Sequence, residues 1–348
     1  MSLKTSYLSV KRDKNFQFFD TPGHEDFISE AISNCFFSDI CVLVADGSVR
    51  KGIDGKVLGP SKNLMFVAKA CGVGCLVIVV SKVDRKVGNE GNLESLMEKL
   101  RELAKEVGFK NENVKVLSAS VIQDRFSLEF FQVLNSCVVQ GRAPADNFKP
   151  VRMLIEDRAK LVHGKLLGYW VSGHLISGVL KTGANITIPA SGITGKIKEI
   201  QKSGEKVSKA ASGDFIDLIL TQIEGEFEDI SAGAVLCSEN HDQGLSQQIR
   251  VRGLTNDPFV PILKNQDLIL HIGNFRVLAK VNKILRQVQG KEIKERPRNL
   301  RGKTMGDIEL ILEKPVAVES FKNLVKLARC VLTSRSSIVF AGMVTDLL

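Results

Sequence analysis

Residues 20–26 of the chain, Asp-Thr-Pro-Gly-His-Glu-Asp, combine residue types that could position a phosphate and the water that attacks it. Asp20 could hold a magnesium ion through water, because hard cations prefer oxygen ligands. Gly23 has no side chain, so its backbone N–H could approach a terminal phosphate. His24 could then orient the attacking water. Phosphoryl transfer depends mainly on such positioning and on charge stabilisation.

Two further segments could recognise a nucleobase. Residues 81–84, Ser-Lys-Val-Asp, place a carboxylate at Asp84 that could accept two parallel N–H bonds from the edge of guanine. The stem of Lys82 could pack over the base plane. Adenine lacks those donors, so this geometry would reject it. Residues 117–120, Leu-Ser-Ala-Ser, offer backbone N–H groups that could meet the guanine carbonyl.

All three segments follow predicted strands. Short apolar runs predict strands at 16–19, 40–45, 75–80 and 114–117, and helical spacing predicts a helix over 92–107. This alternation of strand and helix predicts a mostly parallel sheet, in which ligands bind beyond the carboxyl ends of the strands. The alternative is a turn capped by Asp20, with Lys82 and Asp84 as solvated loop charges.

The sequence changes character after residue 150. Short, often β-branched runs separated by glycine-containing turns predict two all-β barrels, at 151–240 and 245–348. Residues 143–150 contain two prolines and predict a linker. The predicted fold is therefore multi-domain, with an α/β domain over residues 1–142 followed by two β-barrels.

Together, and in this order, the three motifs resemble those of the translational GTPases. The resemblance implies that residues 20–24 are the second switch, with Asp20 on the magnesium side, Gly23 at the terminal phosphate and His24 orienting water. It also implies an incomplete P-loop GTPase domain that binds GTP or GDP with Mg²⁺ and hydrolyses GTP. The residues that would frame or bind the guanine are Ser81, Lys82, Asp84, Ser118 and Ala119.

Residues 327–346 narrow this resemblance. They are most similar to the Hbs-like ribosome-rescue GTPases, whose partner is Pelota. Elongation factor 1-alpha and the GTPase subunit of the eukaryotic release factor share the barrel but fit this ending less well. The resemblance implies a cytoplasmic factor, monomeric within a heterodimer, that loads a Pelota-like decoding factor onto stalled ribosomes in no-go decay.

One family element has no counterpart in these 348 residues. No segment has the pattern Gly-x-x-x-x-Gly-Lys-Ser/Thr, whose amides hold phosphates, and the nearest candidate, 55–62, misplaces the lysine. The resemblance implies an N-terminal truncation that removes the first strand, the phosphate loop and the first switch. Ser81 also stands where the family usually has Asn. We therefore expect weak GTP binding or none, and a non-hydrolysing adaptor of the same architecture remains an alternative.

The positive charge is concentrated in the second barrel. Formal net charge is +9, and residues 280–303 contain nine basic side chains against only Glu292 and Glu295. Such a cluster suits a polyanion, and RNA is the commonest one in the cytosol. The alternative is a solvated basic loop. The predicted contacts with ribosomal RNA are Lys280, Arg298, Arg301 and Lys303.

Two classes of protein are disfavoured by composition. No apolar stretch approaches the roughly 18 residues that a membrane span needs. The seven cysteines are scattered, without a Cys-x-x-Cys pair, which argues against a disulfide framework and against a zinc site. The sequence therefore predicts a cytosolic protein with reduced thiols.

Overall fold

The structure, a computed structural model, describes most of the chain. It divides into two compact units, residues 1–140 and residues 141–348. No helix in the described part is long and apolar enough to cross a membrane. The described residues are 6–11, 15–21, 28–48, 58–84, 91–120, 126–137, 148–163, 166–239, 245–256, 260–335 and 337–348.

The first unit alternates strands and helices around a three-stranded parallel sheet in the order β3-β4-β5. The central strand is buried on both faces along 75–80, which explains its uninterrupted apolar sequence. Helix α3 ends at Val107, and the next residue, Gly108, has a φ of +102°, which suits a residue without a side chain. The elements are β1 (Ser6–Lys11), β2 (Asn15–Asp20), α1 (Ile28–Phe37), β3 (Ile40–Asp46), α2 (Leu58–Cys71), β4 (Cys75–Ser81), α3 (Gly91–Val107), β5 (Val114–Ser118) and α4 (Phe126–Ser136).

The predicted strand at 16–19 is present but is not part of the parallel sheet. It lies in β2, which pairs antiparallel with β1 in a separate two-stranded sheet. The connection of three residues explains this pairing, because a parallel crossover needs a dozen or more. Phe16 and Phe18 of β2 pack against α4, with ring centroids 5.9 Å from Phe131 and 6.3 Å from Phe130 respectively. The prediction of a mostly parallel sheet therefore holds for β3, β4 and β5 and is wrong for β2.

The first part of the second unit is a closed barrel. Its sheet has the order β11-β10-β13-β7-β6-β14-β9, and pairing between β9 and β10 closes it. Alternate side chains, such as Ile216, Leu218 and Leu220, fill the interior. The strands are β6 (Arg152–His163), β7 (Leu166–Ser177), β8 (Val179–Lys181), β9 (Asn185–Ile188), β10 (Ile193–Lys202), β11 (Glu205–Val207), β12 (Lys209–Ala211), β13 (Phe215–Glu224) and β14 (Val235–Ser238).

The rest of the second unit is another closed barrel, with the order β17-β22-β23-β15-β21-β18-β19 and closure between β17 and β18. The prediction of an α/β domain followed by two β-barrels is thus confirmed. The elements of this second barrel are β15 (Leu245–Thr255), β16 (Ile262–Leu263), β17 (Asp267–Ile272), β18 (Phe275–Gln289), β19 (Glu292–Glu295), β20 (Asn299–Leu300), β21 (Met305–Ala317), α5 (Val325–Ala328), β22 (Arg329–Ser334) and β23 (Ser337–Leu347).

Buried polar contacts join the two barrels. Arg152 Nε lies 3.0 Å from Glu319 Oε1, and both side chains are about nine-tenths buried. Asn274 Nδ2 of the second barrel donates to the Ile155 carbonyl of the first at 3.0 Å. The domain boundaries at 142, 151–240 and 245–348 stay predictions, and most of the linker predicted at 143–150 lies outside the described residues.

Candidate guanine-nucleotide site

Polar residues gather at one edge of the parallel sheet. The register of β3, β4 and β5 places Asp46 beside Ser81, and Val80 beside Ser118. Because the three strands are parallel, their carboxyl ends meet at the same edge. The two segments proposed for base recognition therefore lie side by side.

Hydrogen bonds connect these two segments directly. Ser120 Oγ donates to Asp84 Oδ1 at 2.7 Å. The Ala119 amide donates to the Val80 carbonyl at 2.8 Å. Ser120 is almost fully buried, so its hydroxyl holds the Asp84 carboxylate in a fixed position. Ser118 at the end of β5 is exposed, while Ala119 is buried.

Lys82 has a partner that the sequence analysis missed. Its ammonium lies 2.5 Å from Asp46 Oδ2, and its backbone has a φ of +60°. The same carboxylate accepts bonds from the Ser48 amide at 2.8 Å and the Ser48 hydroxyl at 2.6 Å. Lys82 first, and then Ser48, lowers the pKa of Asp46 to about 2. The end of a predicted strand followed by glycine was the available signal for Asp46.

Close packing surrounds this contact. The Gly47 amide donates to the Ser81 carbonyl at 2.9 Å, and a Cβ on Gly47 would lie only 2.8 Å from that oxygen. Ser81 Oγ donates to the Ala45 carbonyl at 3.1 Å. The Ser81 hydroxyl therefore ties β4 to β3 at the site edge.

The phosphate side of the predicted site is only partly described. Asp20 is exposed at the end of β2, and Gly23 and His24 lie outside the described residues. Among described residues, no group of three or more His, Cys, Asp or Glu side chains could hold a metal ion. The roles of Asp20, Gly23 and His24 in magnesium, phosphate and water positioning stay predictions.

Groups away from this edge have structural partners. His271 is 1% exposed, and its Nε2 lies 3.0 Å from Thr333 Oγ1. Burial, with the charge of Arg276, lowers the pKa of His271 to about 4. His174 Nε2 lies 3.2 Å from Glu156 Oε1. All seven cysteines are free thiols.

Parts of the basic stretch at 280–303 lie in β18, β19 and β20, whereas Arg298, Arg301 and Lys303 lie in the turns between strands, so the alternative of a solvated basic loop stays open for these three residues. Three of its cations are ion-paired: Lys283 with Glu309, Arg286 with Glu295, and Lys294 with Glu292. Within residues 280–303, all of which the structure describes, the exposed cations without an ion pair are Lys280, Lys291, Arg296, Arg298 and Arg301. Lys303 is also exposed.

Two family comparisons match this architecture. Residues 1–140 match the elongation factor Tu GTP binding domain, and residues 254–345 match the GTP-eEF1A C-terminal domain-like family. This chain is a relative of the translational GTPases. A GTP-binding domain followed by two β-barrels is the architecture of this family.

The curated proteins that are similar to this chain share about a quarter of its residues. Protein HBS1 of Drosophila melanogaster is 23% identical over 344 residues, covering 94% of this chain and 51% of that protein. Elongation factor 1-alpha of Picrophilus torridus is 25% identical, covering 95% of this chain and 79% of that protein. The chain thus spans about half of the first relative and about four fifths of the second.

Solved structures show the same fold. The elongation factor SelB of Methanococcus maripaludis, in complex with the GTP analogue GppNHp, has a TM-score of 0.77 at 15% identity, covering 100% of this chain and 74% of that one. The Saccharomyces cerevisiae Ski7 GTPase-like domain, bound to GTP, has a TM-score of 0.76 at 15% identity, covering 99% and 83%.

Proposed function

We propose that this chain is a ribosome-rescue factor that uses a guanine nucleotide to deliver a Pelota-like decoding factor to stalled ribosomes in the cytoplasm. The observation that supports nucleotide use is the joined edge formed by Asp84, Ser120 and Lys82. The sequence of residues 327–346 supports the rescue role over that of an elongation or release factor, and Protein HBS1 is among the relatives of the chain.

The donor and acceptor types at this edge fit guanine. Asp84 would accept from the two N–H groups on the base edge, with Ser120 fixing the carboxylate from behind. Backbone groups of Ser118 and Ala119 would approach the base carbonyl. Lys82 would cover the base plane after leaving Asp46. A bound GTP with Mg²⁺ would supply the hydrolysable phosphate, near Asp20, Gly23 and His24.

The exposed cations of the second barrel would contact ribosomal RNA. Lys280, Arg298 and Lys303 are exposed and separated by few acidic side chains. Phosphate contacts by such residues release counterions, so ribosome association should weaken steeply with salt. The barrels would also bind the decoding factor.

A non-hydrolysing adaptor is the second candidate. It is favoured by the Lys82–Asp46 contact, which occupies a lysine that the base would need. Both candidates share partners and differ in hydrolysis.

The decisive experiment titrates the full chain with fluorescent guanosine and xanthosine triphosphates, with and without Mg²⁺. We expect guanosine binding that Asp84→Asn weakens at least tenfold, because an amide cannot accept both N–H bonds. The same variant should gain xanthosine binding, since xanthine presents a carbonyl where guanine has an amino group. Glu98→Gln, on the exposed surface of α3, is the matched control and should change neither.

Hydrolysis is then measured with stalled ribosomes and a Pelota-like protein. Stimulated GTP hydrolysis supports the rescue GTPase, and nucleotide-independent ribosome recruitment of the partner supports the adaptor. Equal guanosine binding by Asp84→Asn and the parent chain would contradict the assignment of the base site.

A further inference from the structure

The outer face of the second barrel has a row of apolar side chains that crosses four neighbouring strands. In the strand register, Leu254 of β15 lies opposite Met305 of β21, Met305 opposite Val288 of β18, and Val288 opposite Ile293 of β19. Directly opposed residues of antiparallel strands point to the same face, with Cβ atoms about 5 Å apart. We call these four residues the apolar row.

The apolar row is open to solvent. Leu254 is 47% exposed, Met305 43% and Ile293 51%, and Val288 is partly exposed. The alternating positions of the same strands, such as Ile308 and Val251, fill the barrel core, so the row is not needed to close it. Contiguous exposed apolar patches with a polar rim are typical of interaction surfaces, whereas single exposed apolar side chains are not.

One side of the row is electrically neutral. Two residues further along each strand lie Arg252, Asp307, Arg286 and Glu295, again directly opposite one another. Arg252 binds both oxygens of Asp307, at 2.7 Å and 2.9 Å, and Arg286 lies 3.6 Å from Glu295. These charges satisfy each other, so this side offers a partner little net charge.

The other side of the row is basic. The chain leaves β18 through Gly290 and Lys291, and it enters β21 from Arg301 and Lys303, all beyond the row. Lys291 and Arg301 are exposed and form no ion pair with the described residues. The two acidic residues in this stretch, Glu292 and Glu295, are paired with Lys294 and Arg286. The rim therefore has an uncompensated positive charge.

We propose that the apolar row is a docking surface for an acidic protein segment with aliphatic side chains. Aliphatic side chains would cover Leu254, Met305 and Ile293, and carboxylates would lie against Lys291 and Arg301. The inference is independent of the nucleotide site. Single-stranded RNA fits less well, because base stacking uses aromatic platforms and the row has none. A second copy fits less well, because it would place two basic rims together.

The test uses the full chain and a fluorescein-labelled peptide of alternating Leu and Glu, with a Leu and Lys peptide and poly(U) for comparison. We expect saturable binding of the acidic peptide to the parent chain. The double variant Ile293→Ser/Met305→Ser should bind at least about tenfold more weakly, through lost apolar contact. Lys291→Glu/Arg301→Glu should weaken binding in a salt-dependent way.

Leu278→Ser is the matched control, since Leu278 is 45% exposed on β18 but lies opposite Ile269 and outside the row. It should bind like the parent chain, and all variants should keep the parent circular dichroism spectrum because they alter exposed side chains.

Three results would overturn the proposal. The first is acidic-peptide binding that is absent up to about 1 mM or unchanged in the double serine variant. The second is poly(U) binding that depends on Lys291 and Arg301 while the acidic peptide does not bind, which would assign the rim to RNA. The third is concentration-dependent dimerisation that the double serine variant abolishes, which would assign the row to a second copy.

Discussion

The parallel sheet and the second barrel distribute their polar groups in different ways. In the parallel sheet, the central strand is apolar throughout, and the polar residues Asp46, Lys82 and Ser118 lie at or just beyond the strand ends. In the barrel, polar residues alternate with core residues along each strand and cover an outer face. The first arrangement suits a small ligand at one edge, whereas the second suits the broad surface of a macromolecule.

Ion pairs in the two regions also differ in how much they contribute to stability. At the sheet edge, Lys82 and Asp46 are each more than a third exposed, so their contact costs little to break. Within the barrel unit, Arg152 and Glu319 are about nine-tenths buried, so removing one partner leaves a desolvated charge.

The largest effect should follow from Arg152→Ala. The Glu319 carboxylate would stay buried without its guanidinium, lowering the free energy of unfolding by about 3–5 kcal/mol. Urea denaturation followed by circular dichroism measures this change. Lys206→Ala breaks the exposed contact with Glu199 and should leave the midpoint nearly unchanged.

A second Arg152 variant sharpens that test. Arg152→Met combined with Glu319→Leu replaces the ion pair by apolar contact and should recover most of the lost stability. If Arg152→Ala were no more destabilising than Lys206→Ala, the contact between the barrels would not be an energetic link.

An intermediate effect should appear at His271 as the pH falls. Its folded pKa of about 4 lies below the unfolded value of about 6.5, so the unfolded chain binds a proton first. Stability should therefore decrease as the pH falls from about 6.5 to about 4, by up to about 3 kcal/mol. His271→Gln removes this titration, and its unfolding free energy should depend less on pH over that window. Identical pH profiles for the two proteins would contradict the assignment.

The smallest effect should follow from Lys82→Met at the sheet edge. Without the ammonium, the pKa of Asp46 should rise from about 2 towards its usual value near 4. An NMR titration of the Asp46 carboxyl measures this change. The lost stabilisation, present above pH 4 and lost as pH falls towards 2, should be under about 1 kcal/mol because both side chains are exposed. Lys62→Met, which breaks only the contact with Glu106, should leave the pKa of Asp46 unchanged.

Strand positions in the parallel sheet could be predicted closely from the sequence. The run predicted at 75–80 is β4, Cys75–Ser81, and the helix predicted at 92–107 is α3, Gly91–Val107. Long periodic or fully buried segments determine their own structure, so pairing partners are not needed to find them. The observed helix begins one residue before the predicted one, since helix ends depend on local hydrogen bonds.

Contacts between distant segments could not be predicted in this way. The pairing direction of β2 depended on the length of its connection to β1, which the periodicity of 16–19 does not contain. Asp46 was missed because its partner Lys82 lies 36 residues away, and Arg152 and Glu319 are separated by 167 residues. The apolar row is visible only when the four strands are aligned. Two β-bulges interrupt the alternation of inward and outward side chains along β18, so the sequence of this strand alone does not place Val288 on the outer face.

The buried Arg152–Glu319 contact couples the two barrels mechanically. A load applied at Ile293 on one barrel reaches β6 on the other through Glu319 and Arg152, and through Asn274 and Ile155. Tilting one barrel against the other would separate the two buried charges of Arg152 and Glu319. A partner that binds either barrel would therefore move both barrels together.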